Sequence, residues 1–426
     1  MDDEQPASGR PLAPFFVIWT GQQFSLLGSN LVQFALVWWL TQTTGSATIL
    51  ATATLVAVLP QIVLSPLAGA LIDRWSRRKV MMTADSLIAL ATLLLATLFA
   101  LDMAQVWHIY VIMFFRAAMG AFHWPAMQAS TTLMVPGKHL SRVAGLNQTM
   151  QGVVGIISPP LGALLLGWLP MQGILAIDVV TALMAVVPLV FIAVPQPERR
   201  TTPAGAGEAS RPNLLSDLWA GLRYVWGWPG LMLIALLAAL INLLVSPGFS
   251  LMPILVIRHF GGAAMELGWL ESAFGIGMVT GGLTLSVWGG FRRRIVTGMA
   301  ALIGMGAGVL LLGLTPASLF GMGVAAMFLA GFMNPIANGA LFSSLQATVA
   351  PDMQGRVFTL TMSLSGAMMP LGLAIAGPIA DTLGVQVWFL VGGTATLLMG
   401  LGAFFVPAIM TVEEQAERLV ASTGPA

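Results

Sequence analysis

The chain has 426 residues, 57% of them hydrophobic and only 8% charged, and its formal net charge is +1. Soluble domains carry about 25% charged residues, so a water-soluble globule is excluded; the basic residues read as loop anchors rather than a groove, and no nucleic-acid partner is expected. The absence of Cys excludes disulfides, thiolate metal sites and a Cys nucleophile.

Residues 1–13 form an acidic and polar tail without a basic segment before a short apolar run, so no signal peptide is expected there. A spanning helix needs about 20 mostly apolar residues. Twelve such stretches follow, at roughly 14–40, 48–72, 80–101, 105–134, 143–168, 173–194, 229–257, 266–290, 295–315, 317–349, 357–383 and 385–409. Several exceed one bilayer thickness, which implies tilt or kinks. Pro60, Pro66, Pro125, Pro159, Pro335 and Pro370 supply kink sites. Residues 196–228 are the one long polar stretch, rich in Pro, Gly, Thr, Ser and charge, and read as a linker between two six-helix bundles at 14–195 and 229–410, with a tail at 411–426. The fold class is therefore all-α membrane protein, twelve transmembrane helices in two pseudosymmetric six-helix bundles.

Lys and Arg fall in every second connection. Arg74, Arg77, Arg78 and Lys79 follow the second stretch, Lys138 and Arg142 the fourth, Arg199, Arg200, Arg211 and Arg223 the sixth, Arg292 to Arg294 the eighth and Arg356 the tenth. Thr41 to Ala47 and Leu169 to Gly173 carry no charge, and Arg258 alone breaks the alternation. By the positive-inside rule the basic connections, and with them both termini, are cytoplasmic. The halves also repeat their punctuation. Gly45-Ser46-Ala47 matches Gly261-Gly262-Ala263, Arg77-Arg78-Lys79 matches Arg292-Arg293-Arg294, and Pro125 matches Pro335, each at nearly the same separation. Such internal repetition is characteristic of transporters that hold substrate between two bundles near the bilayer midplane.

Charges within spans are few and are functional candidates by default. Arg116 sits about eleven residues into its helix, near mid-membrane at about 1.5 Å per residue; it serves either proton coupling or a structural ion pair. Four acids share this interior: Asp85, Asp178, Glu271 and Asp381. A carboxyl group that moves between an apolar setting and a nearby Arg can take up and release a proton. Arg116 with Asp178 or Glu271 is the expected coupling set. Asp85 joins it or serves as a partner of the basic cluster, and Asp381 reads as a helix-end residue. Gln22, Gln23, Asn30, Gln33, Asn147, Gln151, Asn242, Asn334 and Asn338 are candidate substrate-binding amides or interhelical hydrogen bonds. His123, alone of four His clearly within a span, reads as a packed polar residue in preference to a proton relay.

Three motifs carry a family resemblance. Gly69-Ala70-Leu71-Ile72-Asp73-Arg74, with Arg77-Arg78-Lys79 behind it, resembles the major facilitator superfamily signature between helices 2 and 3. Its second-half counterpart, Trp288-Gly289-Gly290-Phe291-Arg292, lacks the Asp. Arg116-Ala117-Ala118-Met119-Gly120 resembles the superfamily's helix-4 motif, and Gly155 to Ala163, with Ser158 and Ala163 in place of Gly, is a degraded match to its helix-5 antiporter motif. Gly21 to Gly28 and Phe34 to Ala47 are similar to bacterial macrolide-efflux carriers, a branch that includes siderophore exporters; the likeness runs from about Phe15 to Pro407.

This resemblance implies the major facilitator fold, with helices 1, 4, 7 and 10 lining the cavity. It implies a cytoplasmic gate of Gly69, Asp73, Arg74, Arg77 and Arg78, joined by Arg356, and substrate binding by Gln22, Gln23, Asn30, Gln33, Gln151, Asn242, Asn334 and Asn338. The expected function is export of amphipathic small molecules, macrolide-like drugs among them, across the bacterial cytoplasmic membrane in exchange for protons, by a monomer. The alternatives are a siderophore exporter, a lysophospholipid-type facilitator or importer, and a non-transporting receptor on the same scaffold. No phosphate-binding loop and no catalytic constellation appears, so neither ATP hydrolysis nor any other enzymatic activity is expected, and the proton gradient replaces any cofactor or metal.

Overall fold

The computed structural model describes residues 12–72, 75–195, 221–350 and 353–415. Among them stand twelve long helices: α1 Ala13–Thr44, α2 Ala47–Ile72, α3 Arg77–Ala100, α4 Val106–Met134, α5 Gly137–Trp168, α6 Met171–Phe191, α7 Pro229–Leu244, α8 Ala264–Trp288, α9 Arg294–Leu314, α10 Phe320–Thr348, α11 Gln354–Leu383 and α12 Val385–Ala403. Eleven spans are long and apolar enough to cross a membrane, α7 counting together with the turn that continues it. The exception is α4, which has the length but dilutes its apolar residues with Arg116, His123, Gln128, Ser130 and Thr131. The chain is an all-α, multi-pass membrane protein.

Local chemistry sets the ends. Gly45, with φ of 62°, closes α1 by donating to Thr41 O, a left-handed cap that costs a Gly nothing. Ser76 caps α3 by accepting from the Lys79 N–H. Two ends depart from the hydropathy reading. α5 begins at Gly137 rather than near 143, because polar residues outside the apolar core still continue the helix. The seventh span is broken: after α7 come the short turns Ser246–Ser250 and Met252–Leu255 and a π-turn, Val256–Phe260. Pro247 and Pro253 lack the N–H that an unbroken helix needs.

Large apolar side chains stay exposed on one flank of several helices, for example Leu90, Leu93 and Leu94 on α3, Val180, Leu183 and Val187 on α6, and Leu283 and Val287 on α8. In water such patches would be a liability; against hydrocarbon they are solvated. Helix association then rests on close packing rather than on hydrophobic burial.

The chain forms two compact units. One comprises residues 1–45, 52–201 and 263–268, and the other 46–51, 202–262 and 269–426, so α2 contributes its first residues to the second unit. In the first unit α6 packs against α1 and α3, and α3 also packs against α4. Gly21 and Gly28 make the α1–α6 approach possible: a Cβ at Gly21 would overlap the Met184 carbonyl oxygen, and one at Gly28 the Thr181 hydroxyl. In the second unit α9 lies against α10 and α12, and α7 against α11, around a core of Leu231, Ile234, Ile295, Met299 and Leu302.

Candidate functional site

The first unit encloses a cavity of about 540 Å³. Its α1 wall is polar: Gln22, Gln23, Ser25, Ser29, Asn30 and Gln33 all line it. Gln61 and Ser65 of α2 add to that wall, and α3 supplies Asp85. Across from them α4 presents Met113, Arg116, His123, Trp124 and Met127. Amide donors and acceptors thus face Met and Trp surfaces, a combination suited to an amphipathic guest.

Arg116 reaches from α4 to α6. Its Nη1 lies 2.5 Å from Asp178 Oδ2, and the two side chains are 12% and 1% exposed. The Thr92 hydroxyl, from α3, accepts from Arg116 and donates to Asp178 Oδ2 at 3.0 Å. The Ser29 hydroxyl of α1 donates to Asp178 Oδ1 at 3.1 Å. Four helices therefore converge on one carboxylate, whose two oxygens are both satisfied. Of the two partners expected for Arg116, the structure brings Asp178. Glu271 stands in α8, in the second unit, half-buried and without a hydrogen-bond or ion-pair partner among the described residues.

Asp85 forms a second centre on the same cavity. Gln22 Nε2 donates to its Oδ2 at 3.0 Å. The His123 Nε2 atom stands 3.2 Å from its Oδ1, within ion-pair distance, but is not aligned for a hydrogen bond. This departs from the alternative that tied Asp85 to the basic cluster, since its partners are Gln22 and His123. The cluster points elsewhere. Arg77 is buried and donates to Ala129 O of α4 at 2.7 Å, and Arg78 donates to Leu189 O and Val190 O at the end of α6. Arg78 thereby satisfies carbonyls in the last turn of α6, which the helix's own N–H groups leave without partners. Gly69 lies near the end of α2, whereas Asp73 and Arg74 lie outside the described residues. Arg356 is exposed, its Nη1 3.6 Å from Met353 Sδ.

The remaining amides divide. Gln151 and Asn147 line a small recess together with Gln23 and Trp124, and Trp19 Nε1 donates to Asn147 Oδ1 at 2.6 Å. Asn242, Asn334 and Asn338 belong to the second unit and do not line this cavity. Asn242 and Asn338 donate to carbonyls of their own helices, Ala238 O and Asn334 O, and Asn334 reaches Met305 Sδ at 3.9 Å. Asp381 has a definite partner set within the second unit: Ala47 N–H at 2.8 Å, Thr48 N–H at 2.9 Å, Ser46 Oγ at 2.8 Å and Arg258 Nη2 at 3.3 Å. It caps the start of α2, where unpaired N–H groups favour a carboxylate, and it engages the one Arg that broke the charge alternation.

The sequence reading took His123 for a packed polar residue and passed over Ser29, Thr92, Gln61 and Ser65. One signal was available: His123 follows Arg116 by two helical turns and so shares its face of α4. The hydroxyls gave none, because Ser and Thr occur throughout these spans.

A family model described as transmembrane secretion effector matches residues 10–423. Macrolide efflux protein A of Streptococcus pyogenes is 33% identical over 387 residues, which is 91% of this chain and 94% of that protein. The multidrug efflux pump Tap of Mycolicibacterium fortuitum is 29% identical over 403 residues, 91% of this chain and 94% of that pump. Among solved structures, a bacterial homologue of the iron transporter ferroportin superposes with a TM-score of 0.64 at 14% identity, over 92% of this chain and 99% of that one. At that identity the likeness shows the fold alone.

Proposed function

The chain belongs to the transmembrane secretion effector family of the major facilitator superfamily, and from that premise we propose that it exports amphipathic small molecules, macrolide-like compounds among them, in exchange for protons. That it is a major facilitator efflux transporter follows from the family and from relatives named as macrolide and multidrug efflux proteins. Proton exchange for an amphipathic substrate is supported chiefly by the Arg116–Asp178 pair beside a cavity with a polar α1 wall. Ionised groups in hydrocarbon are costly and persist where they act. In this reading Gln22, Gln23, Asn30 and Gln33 hold the polar face of the substrate while Met113, Trp124 and Met127 hold its apolar face. Gln151, Asn242, Asn334 and Asn338 are the remaining substrate-binding amides of this reading.

Arg116, Asp178, Asp85 and Glu271 are the coupling groups of this reading. Gly69, Asp73, Arg74, Arg77, Arg78 and Arg356 form a gate on the cytoplasmic side, where both termini also lie. The proton gradient takes the place of a cofactor, and one chain is a complete transport unit.

Erythromycin, a macrolide, serves as the probe. Inverted vesicles containing the protein are expected to accumulate it when an inward-acid pH gradient is imposed, and collapsing the gradient should abolish accumulation. Arg116→Ala, Asp178→Asn, Glu271→Gln and Asp85→Asn are each expected to lower gradient-driven uptake, by about tenfold or more where the group carries the proton. Erythromycin uptake by wild-type vesicles that ignores the gradient would sink proton exchange, and no uptake of any amphiphile in a wider panel would sink export.

A further inference from the structure

Four ionisable side chains stand in or behind the first unit's cavity. Asp85, Arg116 and His123 line it, and Asp178 lies behind Arg116. The described residues of α1 and α2 contribute no titratable group, α6 contributes only Asp178, and the other charged side chains of α3 sit in its first turn, where Arg77 and Arg78 are committed to carbonyls of α4 and α6. Those of α5, Lys138, His139 and Arg142, also lie in its first turns, and His108 and Tyr110 lie at the opposite end of α4 from His123. The two acids differ in how they are held. Asp178 has both oxygens filled by an aligned guanidinium and two hydroxyls, so a proton arriving at either oxygen displaces a donor and removes the charge that holds Arg116. Asp85 has one aligned donor, Gln22, and an imidazole nitrogen at 3.2 Å that is out of line. A buried polar atom left unaligned is unusual in folded proteins. His123 also sits in a weakened turn, because Pro125 carries no N–H for the Ala121 carbonyl one turn back. A slight flexing of α4 there changes the imidazole's line to Asp85.

We propose that His123 shares the exchanged proton with Asp85, and that the Arg116–Asp178 pair holds its charge throughout. The inference rests on the proton-exchange reading and assigns it to one pair. In the loaded form the proton sits on Nε2, and an imidazolium faces the Asp85 carboxylate. Its departure to water in the cavity leaves a neutral imidazole beside the same carboxylate, which Gln22 alone then supports. The pair's net charge thus changes by one for each proton moved, with no bond made or broken elsewhere. Bending at Pro125 ties that change to the conformation of α4.

The test reads the pair directly and does not depend on any substrate. Protein in lipid nanodiscs is titrated from about pH 5 to 9 by infrared spectroscopy, following the imidazole ring modes and the carboxylic C=O stretch. Wild type is expected to show imidazolium modes, identified by their loss in His123→Gln and likewise in His123→Asn, whose midpoint moves by about one pH unit or more in Asp85→Asn. An unmoved midpoint in Asp85→Asn overturns the inference, as does a carboxylic C=O band that titrates in wild type and vanishes in Asp178→Asn. With erythromycin, gradient-driven uptake by His123→Gln should fall about tenfold, and the residue that remains should lose its dependence on external pH. An unchanged pH profile counts against the pair. A shifted infrared midpoint combined with wild-type uptake indifferent to the gradient would support the pair while removing the exchange reading.

Discussion

Three donors meet on Asp178, and this fixes what its removal should cost. Asp178→Asn leaves the Arg116 guanidinium buried with its charge uncompensated, for which about 3–5 kcal/mol is the expected loss of stability. Arg116→Met combined with Asp178→Leu should cost less than either single change, since no charge is then stranded. Thermal unfolding of detergent-purified protein measures both; a double variant as unstable as the sum of the singles would refute the argument. Asp381 is a second case at this scale. Its carboxylate caps two backbone N–H groups of α2 and meets Arg258. Asp381→Asn keeps the shape but loses the charge, and is expected to cost about 1 kcal/mol by the same assay. The acids themselves were legible in the sequence, because hydrocarbon makes any intramembrane charge stand out. Their partners were not: Arg116 had two acids to choose from, and Asp381 read as a water-exposed helix end.

At the scale of the helices, small residues set which surfaces meet. Gly277 and Gly281 of α8 and Gly331 of α10 allow two backbones to touch: a Cβ at Gly281 would overlap the Phe332 carbonyl oxygen, and one at Gly331 the Phe274 carbonyl oxygen. Gly281→Leu should therefore force α8 from α10, at a cost of about 1–3 kcal/mol or more, seen as a lower unfolding temperature and a loss of monodisperse protein. Gly282→Leu is the control, since a Cβ there would meet only Pro335 Cβ at 3.9 Å. Element boundaries followed closely from hydropathy where a turn coincided with a Gly or a charge, as at Gly45 and Arg292 to Arg294. They failed where helix outlasted apolarity, at the start of α5, and where Pro247 and Pro253 broke an apolar run that looked continuous.

At the scale of the molecule, the charge alternation makes a prediction about sidedness. The chain has no Cys, so each introduced thiol is the sole target of a membrane-impermeant maleimide. Trp75→Cys and Arg293→Cys should label from the cytoplasmic side, and Gln42→Cys and Met103→Cys from the opposite side; labelling of the first pair from different compartments would contradict the assigned topology.

The sequence by itself determined the membrane class and the number of long helices, because bilayer energetics sum along the chain: about 20 apolar residues and a polar turn suffice, whatever lies alongside. The family was legible separately, through the resemblance of motifs such as Gly69 to Lys79 and Arg116 to Gly120. The tertiary structure decided that Arg116 meets Asp178, that His123 faces Asp85 and that Asp381 caps α2. Such pairs depend on how each helix is rotated about its axis and how deeply it sits against its neighbours. Those quantities are set by close approaches such as that of Gly28 to Thr181, between residues far apart in the chain, and hydropathy along one dimension carries no term for them.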